Sequence, residues 1–157
     1  MAGTYSQIYI QLVFAVKHRQ HLIQPSWKDT LCKYMSGIIT NKQQKSIIVN
    51  GVADHIHIFV GLKPSMSVAD LVRDIKNNST NFINEQRFCP VRFSWQEGYG
   101  AFSYAHSQIQ HVYNYILRQE EHHRKKSFRE EYLEFLNQFE ISYDKRYLFD
   151  FFEEEQP

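Results

Sequence analysis

The sequence predicts an α+β fold: a ferredoxin-like βαββαβ antiparallel sheet with helices on one face, followed by C-terminal helices. Three observations lead there. Strand-like alternation and helix-like spacing succeed one another in that order through the first two thirds of the chain. A short break at Ala53-Asp54 separates two β-rich runs and signals a hairpin. Finally, 157 residues with 43% hydrophobic and 15% aromatic content suit one core. Residues 1–157 therefore read as a single domain, with 130–157 as an acidic C-terminal helix and tail.

The elements follow in order. Thr4 to Lys17 alternates and is rich in β-formers, which predicts the first strand. Pro25-Ser26 opens a helix whose apolar Trp27, Leu31, Tyr34, Met35 and Ile38 recur at helical spacing. Ile47 to Val52 and His55 to Leu62 are the hairpin strands. Pro64 ends the second of them, and Ser67-Val-Ala-Asp70 caps the next helix, with Val68, Leu71, Val72, Ile75, Phe82 and Ile83 as its buried stripe. Val91 to Trp95 is extended, Gly98-Tyr-Gly100 turns, and a strand runs around Ala101 to Ala105. Ser107-Gln-Ile-Gln110 caps a long helix reaching about His123, and Ser127-Phe-Arg-Glu130 opens the last one.

Composition narrows the function. No apolar run approaches the roughly 20 residues that span a bilayer, and no secretory pattern opens the chain, so a cytoplasmic protein without membrane contact is expected. Cys32 and Cys89 lack metal-knuckle spacing and read as reduced thiols. Net charge is only +1, but it is uneven: residues 130–157 sum to −7 and residues 1–129 to +8. A basic body with an acidic tail fits a phosphate-binding face, and equally fits ordinary surface asymmetry.

Chemistry enters at Asp54-His55-Ile56-His57-Ile58-Phe59-Val60. In a strand His55 and His57 share a face, about 6.5–7 Å apart at the backbone, close enough for two imidazoles to converge on one cation. Two imidazoles on a solvated sheet face are also stable without one. On the following helix, Ile109, Val112, Tyr113, Ile116 and Leu117 gather into an apolar arc, with Tyr113 a core aromatic. Tyr115 lies off that arc with Gln119 one turn above it, a flank that packing does not explain. Beside a divalent ion held by neutral ligands, a tyrosine becomes a usable nucleophile toward a phosphodiester.

Several blocks together resemble the small single-tyrosine transposases of the IS200-like (IS200/IS605) group, in the HUH endonuclease superfamily. They are Leu12-Val-Phe-Ala-Val-Lys17-His-Arg19, the Asp54–Val60 block, and Trp95-Gln-Glu-Gly-Tyr-Gly-Ala-Phe102. Tyr115-Ile-Leu-Arg-Gln119 with His122-His123, and Glu140-Ile-Ser-Tyr-Asp-Lys-Arg-Tyr-Leu148, complete the set. The resemblance implies Tyr115 as nucleophile, His55, His57 and Gln119 as ligands of Mg²⁺ or Mn²⁺, and cleavage of single-stranded DNA to a 5′-phosphotyrosine and a free 3′-OH. It further implies recognition of hairpins at insertion-sequence ends, and a homodimer with the active site shared between protomers. Gln11 departs from relatives that carry a histidine in the first strand; it is expected to matter for the polarity of the strand face rather than for chemistry.

Lys17, Arg19, Arg73, Lys76, Arg124 and Lys125 are candidate DNA contacts. His122 and His123 diverge by about 100° on a helix, so they are expected to join this basic end rather than face one ion. Trp95 and Tyr99 are open to base stacking or to packing. Two rivals remain: a non-catalytic single-stranded nucleic-acid-binding domain of the same fold, and a phosphohydrolase in which water attacks and Tyr115 is incidental.

Overall fold

β1 (Tyr9–Ala15), α1 (Pro25–Asn41), β2 (Lys45–Val52), β3 (His55–Gly61), α2 (Val68–Gln86) and β4 (Gly100–Tyr104) follow the expected βαββαβ order. The computed structural model describes residues 3–144 and 148. The strands form one sheet in the order β2-β3-β1-β4, with each neighbouring pair antiparallel. Placing the first strand between the third and the fourth is the split arrangement that two βαβ-type crossovers produce.

Register decides what each face carries. Gln11, Val13 and Ala15 of β1 stand opposite Phe59, His57 and His55 of β3. Ile48, Asn50 and Val52 of β2 flank the same three residues, and Phe102 of β4 sits across from Gln11. On the other face Leu12, Phe14, Ile56 and Ile58 are fully buried, packed in one core with Leu31, Met35 and Ile39 of α1 and Leu71, Val72 and Ile75 of α2. The two crossover helices thus share one face, as the sequence predicts.

The C-terminal helices α3 (Ile109–Leu117), α4 (Gln119–Lys125) and α5 (Phe128–Gln138) cover the histidine face. Phe59 packs with Val112 and Ile116 of α3, while Phe102 stacks on Phe135 of α5 at 4.9 Å between ring centroids. His55 and His57 are consequently not on a solvated surface at all. Both are 0% exposed. Gly100 permits this cover, since a Cβ there would lie 2.9 Å from the Tyr132 hydroxyl of α5.

Three expectations change in detail. β1 begins only at Tyr9, while the extended stretch Val91 to Trp95 joins the sheet through a single bridge between Val16 and Trp95. The helix expected over residues 108–123 is interrupted: a 3-10 turn at His106–Gln108 precedes α3, and Arg118, with φ −99° and ψ 27°, separates α3 from α4. Ser107 is not the cap, because it lies inside the 3-10 turn; the Gln108 side chain instead accepts the Ala105 N–H at 2.9 Å. Ser67 and Ser127 do cap α2 and α5, accepting the Asp70 and Glu130 N–H groups at 3.0 and 3.1 Å. Apart from Leu148, the expected tail at 147–157 lies outside the described residues. No helix among the described residues is long and apolar enough to cross a membrane.

Candidate active site

Strand alternation aims His55 and His57 at the same side, and their second nitrogens are held from behind. His55 Nδ1 lies 2.7 Å from Asp54 Oδ1, and Asp54 Oδ2 lies 3.0 Å from Arg19 Nε. His18 and Arg19 both adopt left-handed backbone, φ 56° and 52°, in the turn after β1. That costly geometry turns the 1%-exposed Arg19 side chain inward toward Asp54. Arg19 is therefore a buried support of the Asp54–His55 pair, not an exposed phosphate contact. His57 Nδ1 lies 2.9 Å from the Gln11 amide, which in turn accepts a hydrogen bond from Tyr104 Oη at 2.8 Å. Gln11 thus has a chemical part, contrary to expectation: it orients a histidine. Asp54 accepts from the rear nitrogen of His55, as supports of metal-binding histidines do, whereas the Gln11 amide nitrogen donates to His57 Nδ1 and leaves the proton of a neutral His57 on Nε2.

Tyr115 and Gln119 arrive from the opposite side. Asn50 Nδ2, on β2 beside His57, donates to the Ile116 and Leu117 carbonyls at 2.9 and 3.2 Å, which ties the end of α3 to its own sheet. The break at Arg118 follows directly. Tyr115 is half-buried, with its ring centroid 6.0 Å from that of His57. Gln119 is 0% exposed, and its Nε2 is 3.5 Å from the Tyr115 carbonyl, so the two remain on one flank despite the break. Tyr113 is half-buried rather than a full core residue.

Two members of the cluster were not expected from the sequence. Glu131 of α5, 2% exposed, places Oε1 at 3.0 Å from His57 Nε2, 3.2 Å from His123 Nε2 and 3.4 Å from His55 Nε2. Its Oε2 accepts from the Tyr115 hydroxyl and from Gln119 Nε2, the latter at 3.3 Å. His122 and His123 diverge as helical neighbours must, but not into solvent: His123 joins Glu131, while His122 packs on the Tyr115 ring at 4.5 Å. A signal for Glu131 did exist. It stands three residues after Phe128 and four before Phe135, on the edge of the stripe by which α5 is buried.

This crowding sets the ionisation. Burial acts to raise the Glu131 carboxyl, but the charges and hydrogen bonds of His57, His123 and His55 prevail and hold it well below its usual range. Burial acts to lower His55, yet the hydrogen bonds and charges of Asp54 and Glu131 carry it up to about 9. His57 is lowered, chiefly by burial, with Glu131 opposing. The Tyr115 phenol is pushed far up by burial and then by the Glu131 carboxylate, the wrong direction for a phenolate. A cleft of about 200 Å³, walled by Gln11, Tyr104, His111, Tyr115, Glu131 and Glu134, leads from solvent to this point.

The residues fit a divalent ion. Gln119 Oε1 is a buried acceptor without a hydrogen-bond partner among the described residues, an arrangement that costs about 1–3 kcal/mol unless a cation or donor meets it, and His55 Nε2 has only the 3.4 Å contact with Glu131 Oε1. His55, His57, His123 and Glu131 offer ligand atoms that all lie within 4.8 Å of one another. Neither thiol belongs here: Cys32 is buried on α1, raised by desolvation to about 11, and Cys89 lies beyond α2.

The remaining candidates lie elsewhere. Lys17, Arg124 and Lys125 are exposed. Arg73 is ion-paired to Asp70 and Asp74, and Lys76 donates to the Gln96 and Gly98 carbonyls at 2.8 and 2.7 Å. Trp95 is core: it packs edge-on to Phe14 and donates to Ser79 Oγ at 2.9 Å. Tyr99 is 37% exposed.

Comparison with known proteins bears on this arrangement. Residues 4–119 match the family model described as "Transposase IS200 like". A search of curated proteins gave no match. Among solved structures, a candidate transposase from Deinococcus radiodurans R1 superposes with a TM-score of 0.60 at 18% identity, over 74% of this chain and 94% of that one. A REP-associated tyrosine transposase bound to a REP hairpin gives 0.58 at 12% identity, over 76% of this chain and 71% of that one. At such identities the two structures establish a shared fold.

Proposed function

The chain belongs to the IS200-like transposase family, and from that premise we propose that it cleaves and rejoins single-stranded DNA with Tyr115 as nucleophile. His55, His57 and Gln119 would hold Mg²⁺ or Mn²⁺. A bound ion of this kind polarises the scissile phosphodiester and stabilises its developing charge. The Tyr115 oxygen attacks phosphorus as the bond to the 3′ oxygen breaks. Tyr115 loses a proton, the departing 3′ oxygen gains one, and the products are a 5′-phosphotyrosine and a free 3′-OH. A 3′-OH attacking that linkage reverses the step, so strands rejoin without an external energy source. Before attack, the Tyr115 hydroxyl must leave Glu131, whose carboxylate opposes the phenolate.

The observation that carries this reading is the meeting of Tyr115, Gln119, His55 and His57 around one carboxylate, within one chain. It favours a nucleophile acting in cis over the shared active site that the resemblance implies. The relative bound to a REP hairpin supports hairpin ends as the substrate, with the exposed Lys17, Arg124 and Lys125 as phosphate contacts.

Incubation with single-stranded DNA carrying such a hairpin, in Mn²⁺, should trap a covalent protein–DNA adduct on a denaturing gel. Tyr115→Phe should abolish the adduct and keep DNA binding, and EDTA should abolish it too. Adduct persisting in Tyr115→Phe refutes the assignment; cleavage without any adduct favours water as the nucleophile. Mixing Tyr115→Phe chains with His57→Ala chains tests the cis assembly. Adduct restored in the mixture would mean a shared site.

A further inference from the structure

We propose that His55, His57, His123 and Glu131 form a four-donor tetrahedral site for a transition metal such as Zn²⁺, and that filling it holds Tyr115 idle. The proposal rests on the strand-transfer reading only for the role of Tyr115. Its ligand set is a different one, sharing two histidines but replacing Gln119 with two side chains from α4 and α5.

Distances make the case. Bonds of about 2.0–2.1 Å from a tetrahedral ion to its ligands place those ligands about 3.3–3.4 Å from one another. Glu131 Oε1 already stands 3.0, 3.2 and 3.4 Å from the Nε2 atoms of His57, His123 and His55. All four donor atoms lie within 4.8 Å of one another, so the carboxylate is already at ligand spacing from each ring and the imidazoles need only close on the ion. The His55 lone pair is also aimed. With its Nδ1 against Asp54, a neutral His55 turns the Nε2 lone pair inward, and among the described residues that atom makes no hydrogen bond, only the 3.4 Å contact with Glu131 Oε1. Gln11 holds His57 in the opposite sense, its amide nitrogen donating to Nδ1, so a neutral His57 carries its proton on Nε2 and must release it to ligate. Gln119, by contrast, turns its amide nitrogen to the cluster and donates to Glu131 Oε2, so here it braces the carboxylate instead of ligating.

The donor set selects the metal. Three imidazoles and one carboxylate in tetrahedral array suit Zn²⁺ or Co²⁺, whereas Mg²⁺ demands oxygen-rich octahedral surroundings. Function follows from closure. Four protein ligands saturate a tetrahedral ion and leave no position for a phosphate oxygen. The Tyr115 hydroxyl meanwhile stays bound to the second oxygen of Glu131. Both added donors lie beyond Gln119, where the family match ends.

Co²⁺ serves as the probe, with the full-length chain. One equivalent should give wild-type protein the intense visible absorption of four-coordinate Co²⁺, displaced by Zn²⁺. His123→Ala, at a side chain on the rim of the site, and Glu131→Gln should each lose that spectrum; Gln119→Leu should keep it. Circular dichroism of the metal-free variants confirms that they fold. A weak six-coordinate spectrum in the wild type overturns the site, as does a four-coordinate one that survives His123→Ala. Zn²⁺ added to Mn²⁺-loaded wild type should lower the yield of covalent adduct, and lower it less in His123→Ala. An undiminished wild-type yield overturns the idle state. Failure of the strand-transfer reading looks different, since no adduct would form in Mn²⁺ while the Co²⁺ spectrum stayed intact.

Discussion

Replacing Asp54 with Asn separates the orientation of His55 from the folding of the loop behind it. Asp54 is nearly buried and serves two groups at once, His55 Nδ1 at 2.7 Å and Arg19 Nε at 3.0 Å. Asn has one acceptor oxygen where the carboxylate has two. If its oxygen stays on Arg19, its NH₂ meets His55 Nδ1 and drives the imidazole proton to Nε2, the nitrogen that faces the cluster. Loss of a support of this type costs about 10–100-fold in metal affinity, or about 1.4–2.8 kcal/mol. Stability suffers separately. Removing one partner of a buried ion pair costs about 3–5 kcal/mol at the limit, and the retained hydrogen bond to Arg19 reduces this to about 1–3 kcal/mol. Electron paramagnetic resonance of free Mn²⁺ during titration reads the first effect; urea unfolding in EDTA reads the second. Wild-type Mn²⁺ affinity in a folded but destabilised Asp54→Asn chain would refute the orienting role and leave Asp54 as a partner of Arg19 alone.

Three further outcomes follow from the same geometry. Asn50→Ala removes the two hydrogen bonds that tie α3 to β2, at a cost of about 1–2 kcal/mol; single-turnover adduct formation should slow while Mn²⁺ affinity holds, and an unchanged rate would mean that α3 needs no anchor. Gly100→Ala sets a Cβ 2.9 Å from both the Tyr132 hydroxyl and the Phe102 ring, so the urea midpoint should fall by an amount equal to about 1–3 kcal/mol, and an unmoved midpoint would show that α5 yields freely. Lys76 is lowered by burial to about 8, with Glu97 opposing, against 10.5 for the free side chain. The unfolded chain then binds more protons between those values, so this group makes stability rise with pH across the window. Lys76→Met should lose that rise in urea midpoints compared at pH values within and below it; parallel curves for the two proteins would disprove the depressed value.

Local periodicity made the fold legible. The β1–β4 order, the hairpin at Ala53-Asp54 and the placement of His55 with His57 all follow from side chains alternating along strands. The Tyr115–Gln119 flank was equally readable, because residues one helical turn apart stay neighbours even across the kink at Arg118. What could not be read depends on long-range contacts. Nothing in Leu117-Arg118-Gln119 breaks a helix; Asn50, far away in sequence, draws off its carbonyls. Arg19 reads as a surface cation until Asp54 is seen beneath it. Glu131 reads as one acid in an acidic segment, and only the docking of α5 on the histidine face shows that it is buried among three imidazoles.

The charge of the body, taken alone, mispredicts the charge of the site. Asp54 and Glu131 are balanced there by Arg19 and by a His55 raised to about 9, so the described groups nearest Tyr115 carry little net positive charge. A phosphodiester entering the cleft would meet Glu131 on its wall, and Glu134, whose carboxylate Lys126 pairs at 2.6 and 2.7 Å. Two bare unit charges 4 Å apart repel by about 4 kcal/mol at an effective dielectric of about 20, of which a protonated His55 beside Glu131 offsets a part. The exposed Lys17, Arg124 and Lys125 can draw DNA to the surface but cannot cancel a buried carboxylate at the point of attack. Something positive must therefore arrive with the substrate or before it, and Glu131 must either bind that charge or move away from it. Which of the two it does decides whether the metal-loaded protein is competent or closed.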